Sequence, residues 1–409
     1  SLTPSQIDGL TLQSLNNQSF PLHVAATATE TATGQPATAS EPLVVTVNNV
    51  LPSLEVMATS EIDEDGEVTL TGTITDPGTL DVFTLQIDWG DPLSPGNVQT
   101  FSLDASPTGS QAFTFTHRYL DDNPTRTATA FYDVTATVTD DVGSVIKQSK
   151  VTVNNLAPEN LTLNAPVISE NGTATVIGSF TDVGTLDTHD VVIDWGDGTT
   201  SIASVGPMTR TFMADHQYLD DSPTGSASDV YDIAATVTDD DGGLVAVQST
   251  VTVNNLAPEN LSFDNVTFGA PISPGNIGGV PGQTLWFVGS FVDVGTLDTH
   301  SASVDWGAGS ATEDLLLEQS VGAGTIFGNH IYLTAGSYTV TVTVNDDDGG
   351  SISRTFELSL ADTALLPDTY QAGTTALYVG GTTGDDDILV KPVDGAGAVE
   401  AIINGVSQG

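Results

Sequence analysis

Carboxylates dominate the chemistry available to this chain. Asp and Glu number 53 against 7 Lys and Arg, the formal net charge is −46, and none of the 409 residues is cysteine. The acids recur in a pattern. Pairs stand at Asp76 and Asp81, at Asp182 and Asp187 (with Asp190 just beyond), and at Asp293 and Asp298. Runs stand at Asp140-Asp141, Asp239-Asp240-Asp241 and Asp346-Asp347-Asp348. Amide pairs occur at Asn48-Asn49, Asn154-Asn155 and Asn254-Asn255, and glutamates at Glu64 and Glu170. Hard oxygen donors gathered six to eight at a time are what calcium takes. Acid–base catalysis is a poorer match, because with so many carboxylates some pair meets any separation by accident. There is no Gly-x-Ser-x-Gly elbow, no His-Glu-x-x-His and no thiol nucleophile. The notable residues are also repeated, where a catalytic site is usually unique, so the expectation is a protein that is not an enzyme.

The charge narrows the partners. A chain this acidic cannot neutralise a phosphate backbone, so nucleic acid is excluded as a partner, and an anionic membrane surface is disfavoured for the same reason. No run of about 20 apolar residues is present, so no membrane insertion is expected from this segment. The opening Ser1-Leu2-Thr3-Pro4 lacks a basic-then-apolar leader pattern. An extracellular chain without disulfides needs another source of rigidity, and calcium can supply one.

The elements that position these residues follow from internal repetition. Asp-Trp-Gly occurs at 88–90, 194–196 and 305–307, His-x-Tyr-Leu at 117–120, 216–219 and 330–333, and Asp-x-Gly-Thr-Leu-Asp at 76–81, 182–187 and 293–298. Val-Thr-Val-Asn-Asn occurs at 151–155 and 251–255, and Thr46-Val47-Asn48-Asn49 is a third copy. The order is constant and the period is about 100–110 residues, which implies domains at 50–155, 156–255 and 256–361. Residues 1–49 read as the end of a preceding β-sandwich domain, and 362–409 as a partial β segment that starts another. Apolar residues alternate within each repeat. Leu70, Gly72 and Ile74 match Val176, Gly178 and Phe180, and match Phe287, Gly289 and Phe291; the central glycine leaves room for a large neighbour. Leu85, Ile87 and Trp89 match Val191, Ile193 and Trp195, then Ala302, Val304 and Trp306. About seven short strands per repeat around a tryptophan predict an all-β chain of tandem immunoglobulin-like β-sandwiches in an elongated array.

Asp194-Trp195-Gly196-Asp197-Gly198, His216-x-Tyr218, Tyr231-x-Ile233 and Val237-Thr238-Asp239-Asp240-Asp241-Gly242 together resemble the PKD (polycystic-kidney-disease-like) domain of bacterial surface and secreted proteins. The resemblance covers about 300 residues in three copies, and implies a structural or interaction module. Gly9-Leu10-Thr11-Leu12 followed by Leu22 to Thr29 resembles the last strands of sandwich repeats in giant calcium-dependent adhesins. Tyr378 to Ile388, with Gly380-Gly381 and Asp385-Asp386-Asp387, resembles the start of a hemolysin-type calcium repeat.

An immunoglobulin-like strand order sorts the acids by domain end. At the second joint, Glu64 and Asn154-Asn155 at the bottom of one repeat face Asp182, Asp187, Asp190 and Asp239 to Asp241 at the top of the next. At the third, Glu170 and Asn254-Asn255 face Asp293, Asp298 and Asp346 to Asp348. At the first, Asn48-Asn49 face Asp76, Asp81, Asp140 and Asp141. This arrangement resembles the linker sites of cadherins, and the PKD resemblance implies calcium near the leading linker. The last repeat has Pro281 where Glu64 and Glu170 stand, Ala308 where Asp91 and Asp197 stand, and no Asn-Asn pair at its end; all three losses are assigned to the joint where the series stops. His117, His216 and His330 are expected to be structural, and His189 and His300 solvated. The loops Leu120 to Thr125 and Leu219 to Thr224 are expected to be solvated turns.

The function expected is an extracellular spacer or filament-forming segment of a large bacterial surface protein, with calcium at its joints. Its partners would be neighbouring domains of the same chain, with copies of itself at the incomplete ends as a second expectation. An adhesin that binds glycan or protein, and the stalk of a secreted hydrolase, are the alternatives. Three of the four tryptophans are the repeated core position and only Trp286 is left for an exposed platform, which favours the spacer.

Overall fold

The computed structural model describes residues 11–12, 19–123, 125–206, 209–268, 277–368, 370–371, 373–394 and 397–408. Among these residues every regular element is a strand and no helix is long and apolar enough to cross a membrane. The chain opens with a hairpin of β1 (Phe20–Thr29) and β2 (Pro36–Val45). The first complete sandwich contains β3 (Ser53–Ala58), β4 (Glu61–Asp63), β5 (Glu67–Thr75), β6 (Phe83–Asp88), β7 (Val98–Leu103), β8 (Ser110–Arg118), β9 (Thr129–Thr139) and β10 (Ser144–Asn154). One sheet has the order β3-β5-β8 and the other β4-β10-β9-β6-β7. The short β4 runs parallel to β10; all other pairs in this sandwich are antiparallel.

The same arrangement recurs from Glu159 to Asn254 and from Glu259 to Leu360, so the expected immunoglobulin-like sandwiches are present three times; in the third the strand Leu316–Ser320 pairs with Ala323–Ile331 and so joins the opposite sheet. In the second sandwich the strand Thr200–Val205 pairs with both Thr211–Gln217 and His189–Asp194, and thereby ties its two sheets together. Beyond Leu360, Thr363–Pro367 pairs with Thr375–Val379, and a small three-stranded sheet follows from Ile388 to Ser407.

Each sandwich owns a separate core. Leu70, Ile74, Leu85, Ile87, Trp89, Val134, Ala136 and Val138 are fully enclosed in the first, and their counterparts in the others. The alternation of these strands explains this, since period-2 spacing puts every second side chain between the sheets. The tryptophan row ends in a repeated assembly. Tyr119, Tyr218 and Tyr332 each donate a hydroxyl hydrogen bond to the tryptophan carbonyl, at 2.8 Å in all three sandwiches. His117, His216 and His330 stack on the indoles at 5.2, 4.9 and 4.7 Å. The expectation that these histidines are structural therefore agrees with the packing.

The central glycine of the inward row has a physical cause. A β-carbon at Gly178 would overlap the ring of Phe212, and one at Gly72 the ring of Phe113. Gly178→Val is expected to destabilise the second sandwich by about 1–3 kcal/mol through overpacking. Urea melts that follow each sandwich separately would test this; an unchanged midpoint for the second sandwich contradicts it.

Candidate metal centres at the domain joints

The joint between the first and second sandwiches is assembled by backbone pairing. Because β4 lies beside β10, the Glu64 amide donates to the Asn154 carbonyl at 2.9 Å, which fixes Glu64 next to the linker. The glutamate Oε1 then accepts from the Leu156 amide at 2.8 Å, across the joint. Glu170 repeats both contacts, with Asn254 at 2.9 Å and Leu256 at 2.6 Å. One oxygen of each glutamate thus holds the linker and the other, Oε2, is buried without a hydrogen bond.

The second sandwich presents its acids from two loops. Asp182 and Asp187 lie between the strands Thr173–Thr181 and His189–Asp194; Asp239 ends the strand Ser228–Asp239, and Asp240 and Asp241 lie in the turn before Leu244. Some of these carboxylates are occupied in shaping the loops. Asp239 accepts from the amides of Asp241 (3.0 Å) and Gly243 (2.7 Å) and from the Asn155 side chain (3.1 Å). Asp240 accepts from the Thr188 amide at 2.8 Å. Asp182 is held by the Gly184 amide at 3.1 Å and by His189 at 2.6 Å. Arg210 can only donate, and it reaches His189 Nδ1 at 2.8 Å; the imidazole must therefore carry its proton on Nε2 and donate it to Asp182. Gln319 does the same for His300, which meets Asp293 at 2.9 Å. Neither histidine is solvated as expected: both side chains are enclosed and brace an aspartate. At the first joint Phe83 occupies this position, and Asp76 Oδ2 is left without a partner.

The remaining carboxylates converge without partners. Both oxygens of Asp122, Asp187 and Asp241, with Glu64 Oε2 and Asn155 Oδ1, are buried and unpaired. Asp122 is fully enclosed, and Asp187 and Asp241 are 6 % and 5 % exposed. Glu64, Asp121 and Asp187 offer oxygens within 4.8 Å of one another, as do Asp121, Asp122 and Asp241, and in the next joint Glu170, Asp220 and Asp221. Burial, compounded by the neighbouring acids, pushes Glu64 up to about 8, Asp187 to about 9 and Asp122 to about 7. Glu170 rises to about 8, Asp298 to about 7, and Asp221 and Asp348 to about 6, for the same causes. Asp140 shows the contrast. Burial works against its charge too, but the Val142 and Gly143 amides and the Asn49 side chain outweigh it and hold the carboxyl below its usual range. Gly184 is needed here, because a β-carbon would strike both Asp187 and Glu64; Gly295 does the same for Asp298 and Glu170. That accounts for the glycine of the Asp-x-Gly-Thr-Leu-Asp motif.

The structure brings together most of the residues expected from sequence: Glu64, Asn155, Asp182, Asp187 and Asp240 at one joint, and Glu170, Asn255, Asp293, Asp298 and Asp347 at the next. At the first joint Asn49 bonds to Asp140 at 2.8 Å, beside Asp141, while Asp76 and Asp81 share one loop. Four residues fall outside. Asn48 is exposed. Asn154 turns to Glu61 at 3.1 Å and Asn254 to the Ile168 carbonyl at 3.2 Å, so each serves its own sandwich. Asp190 is exposed, because strand alternation points it away from Asp187 and His189.

Two readings need correction. Asp121-Asp122 and Asp220-Asp221 are not solvated turns; Asp121, Asp122 and Asp221 are buried inside the clusters. Tyr132 anchors the first of these loops through the Asp121 and Asn123 carbonyls, and Tyr231 the second through Asp220 at 3.3 Å. Ala308 does not belong to the joint either. Asp91 and Asp197 pair with His117 and His216 of their own sandwiches at 3.1 and 2.7 Å, so this loss concerns the indole–imidazole stack. A different loss replaces it: where the first two repeats have Asp-Asp after Tyr-Leu, the third has Thr334-Ala335. That co-variation with Pro281 was the sequence signal for the missed aspartates. Below the third sandwich Pro281 and Val280 stand beside Gly380, where an added β-carbon would meet them.

Residues 269–357 match the family model described as PKD domain. This is the repeat lacking the acids at its bottom face; the ordered motifs it shares with the other two make all three copies of one immunoglobulin-like unit. No characterised protein matches the chain by sequence. Among solved structures, a tetra-tandem repeat from the extending region of a large adhesion protein is 17 % identical, with 84 % of this chain and 82 % of that one covered and a TM-score of 0.39. A Ca2+-stabilised adhesin of an Antarctic bacterium is 16 % identical, with 83 % and 80 % covered and a TM-score of 0.24. A three-domain titin fragment, I67–I69, is 10 % identical, with 76 % and 98 % covered and a TM-score of 0.32.

Proposed function

We propose that this array of PKD-like sandwiches is an extracellular, non-catalytic spacer whose joints are stiffened by calcium. The observation that carries the reading is the set of buried, unpartnered carboxylate oxygens contributed by both sides of the second and third joints. Buried charge of one sign is unfavourable unless a counter-charge accompanies it. Among the described residues around the second joint, Arg210 donates to backbone carbonyls and His189 and makes no ion pair with the clustered carboxylates. Oxygen-only donors suit a hard divalent cation, and extracellular modules bind calcium at roughly 10⁻⁴–10⁻³ M. Such sites would fill outside a cell, which is the setting proposed here, on the surface of or secreted from a bacterium. With the cation present the joint is bridged by ligands from two domains; without it the carboxylates repel.

Small-angle scattering of the chain in millimolar calcium and in chelator tests this. An elongated particle of well-defined maximum dimension is expected with calcium, and a shorter mean dimension with signs of flexing in chelator. Identical curves would rule out calcium-stiffened joints.

A further inference from the structure

The acids at the second joint form two groups rather than one. In the second joint Glu64, Asp121 and Asp187 make the first, and Asp121, Asp122 and Asp241 the second, with Asp121 common to both. Each group contains residues from the sandwich above and the sandwich below. The third joint repeats the approach across the joint: a β-carbon at Gly295 would meet both Glu170 Oε2 and Asp298, as one at Gly184 would meet both Glu64 Oε2 and Asp187, and Glu170, Asp220 and Asp221 offer oxygens within 4.8 Å of one another. We propose that each of these two joints binds a pair of calcium ions, bridged by Asp121 in one and by Asp220 in the other. This rests on the reading of the joints as calcium sites and specifies their occupancy.

Charge and donor number both favour two ions. Glu64, Asp121, Asp122, Asp187 and Asp241 bring five negative charges; one divalent ion leaves three of them uncompensated in a buried space, and two leave one. Calcium accepts six to eight oxygens. The unpartnered oxygens of Asp122 and Asp241 lie in one group, and those of Glu64 and Asp187 in the other. Asp121 is held by the Asn123 backbone and side-chain amides, which fix a carboxylate that belongs to both groups. The first joint marks the difference, since Val142 stands third in the run where Asp241 and Asp348 stand.

Native mass spectrometry and calorimetric titration of the full chain with calcium test the assignment. Glu64→Gln and Asp241→Asn, both near-isosteric, are each expected to remove one ion, and the double variant two; Glu170→Gln and Asp348→Asn repeat the test at the third joint. If the double variant loses no more calcium than either single one, the joint holds one ion and the paired-site proposal is overturned, while calcium binding at the joint stands. If the unaltered chain binds no calcium, the underlying reading fails. Melting of each variant in calcium-free buffer establishes that all are folded.

Discussion

In chelator, raising the pH from 5 to 8 is expected to lower the melting temperature of this protein, and millimolar calcium is expected to reverse that trend. The sign follows from linkage. Glu64, Asp187 and Glu170 are raised to about 8, 9 and 8 in the folded joints, and Asp122 and Asp298 to about 7. On unfolding or opening they return to the ordinary carboxylate range near 4. Between those limits the closed form binds more protons than the open one, so its stability is complete below about pH 4, declines as the pH rises from there, and the loss is complete once the pH has passed 7–9. Calcium inverts the preference, because it needs the ionised carboxylates and displaces their protons. Its affinity should rise about tenfold per pH unit for each proton displaced. Calorimetric melts at pH 5 and 8, with calcium and with chelator, provide the check. The variant Glu64→Gln/Asp187→Asn/Glu170→Gln/Asp298→Asn should flatten the pH dependence in chelator. This separates the joints from general repulsion in a chain of charge −46. Metal-free stability that climbs with pH would refute the account.

Trp195→Ala is expected to cost the second sandwich about 3–5 kcal/mol, a large part of the 5–15 kcal/mol typical of a domain. The indole is fully buried among Val191, Ile193, Ile233 and Ala235, and His216 stacks on it at 4.9 Å. No core residue of either neighbour belongs to its cluster. The first and third sandwiches should therefore keep their own transitions while the second melts early. Limited proteolysis would show this as cleavage confined to 156–255. Loss of all three transitions together would mean that the array folds as one cooperative unit.

The sandwiches were legible in the sequence because alternation and a repeated tryptophan leave few other ways to bury Leu85, Ile87 and Trp89 on one face. Glu64 and Asp187 were legible because an immunoglobulin-like strand order assigns loops to ends. Asp121 and Asp122 were not, since Asp-Asp-Asn-Pro reads locally as turn chemistry; burial there is imposed by the adjoining domain and by Tyr132 holding the loop from below. The role of His189 was hidden for a similar reason. Its partner Arg210 lies 21 residues away on another loop, and nothing in the local sequence announces the contact.

The parallel clamp of β4 on β10 places one half of each centre on the bottom face of a sandwich, while the loops at Asp182–Asp187 and Asp239–Asp241 place the other half on top. The two halves never meet within a single copy, so the contact is head-to-tail and does not close on itself. A repeat carrying both halves can be duplicated or deleted as a unit without disturbing its neighbours. The third sandwich has the upper half and, with Pro281, Thr334 and Ala335, lacks the lower one. In the language of polymer growth it is a terminator: on the proposed spacer function, duplication of repeats upstream of it would lengthen the array in steps of one repeat and leave this unit as the last of the series.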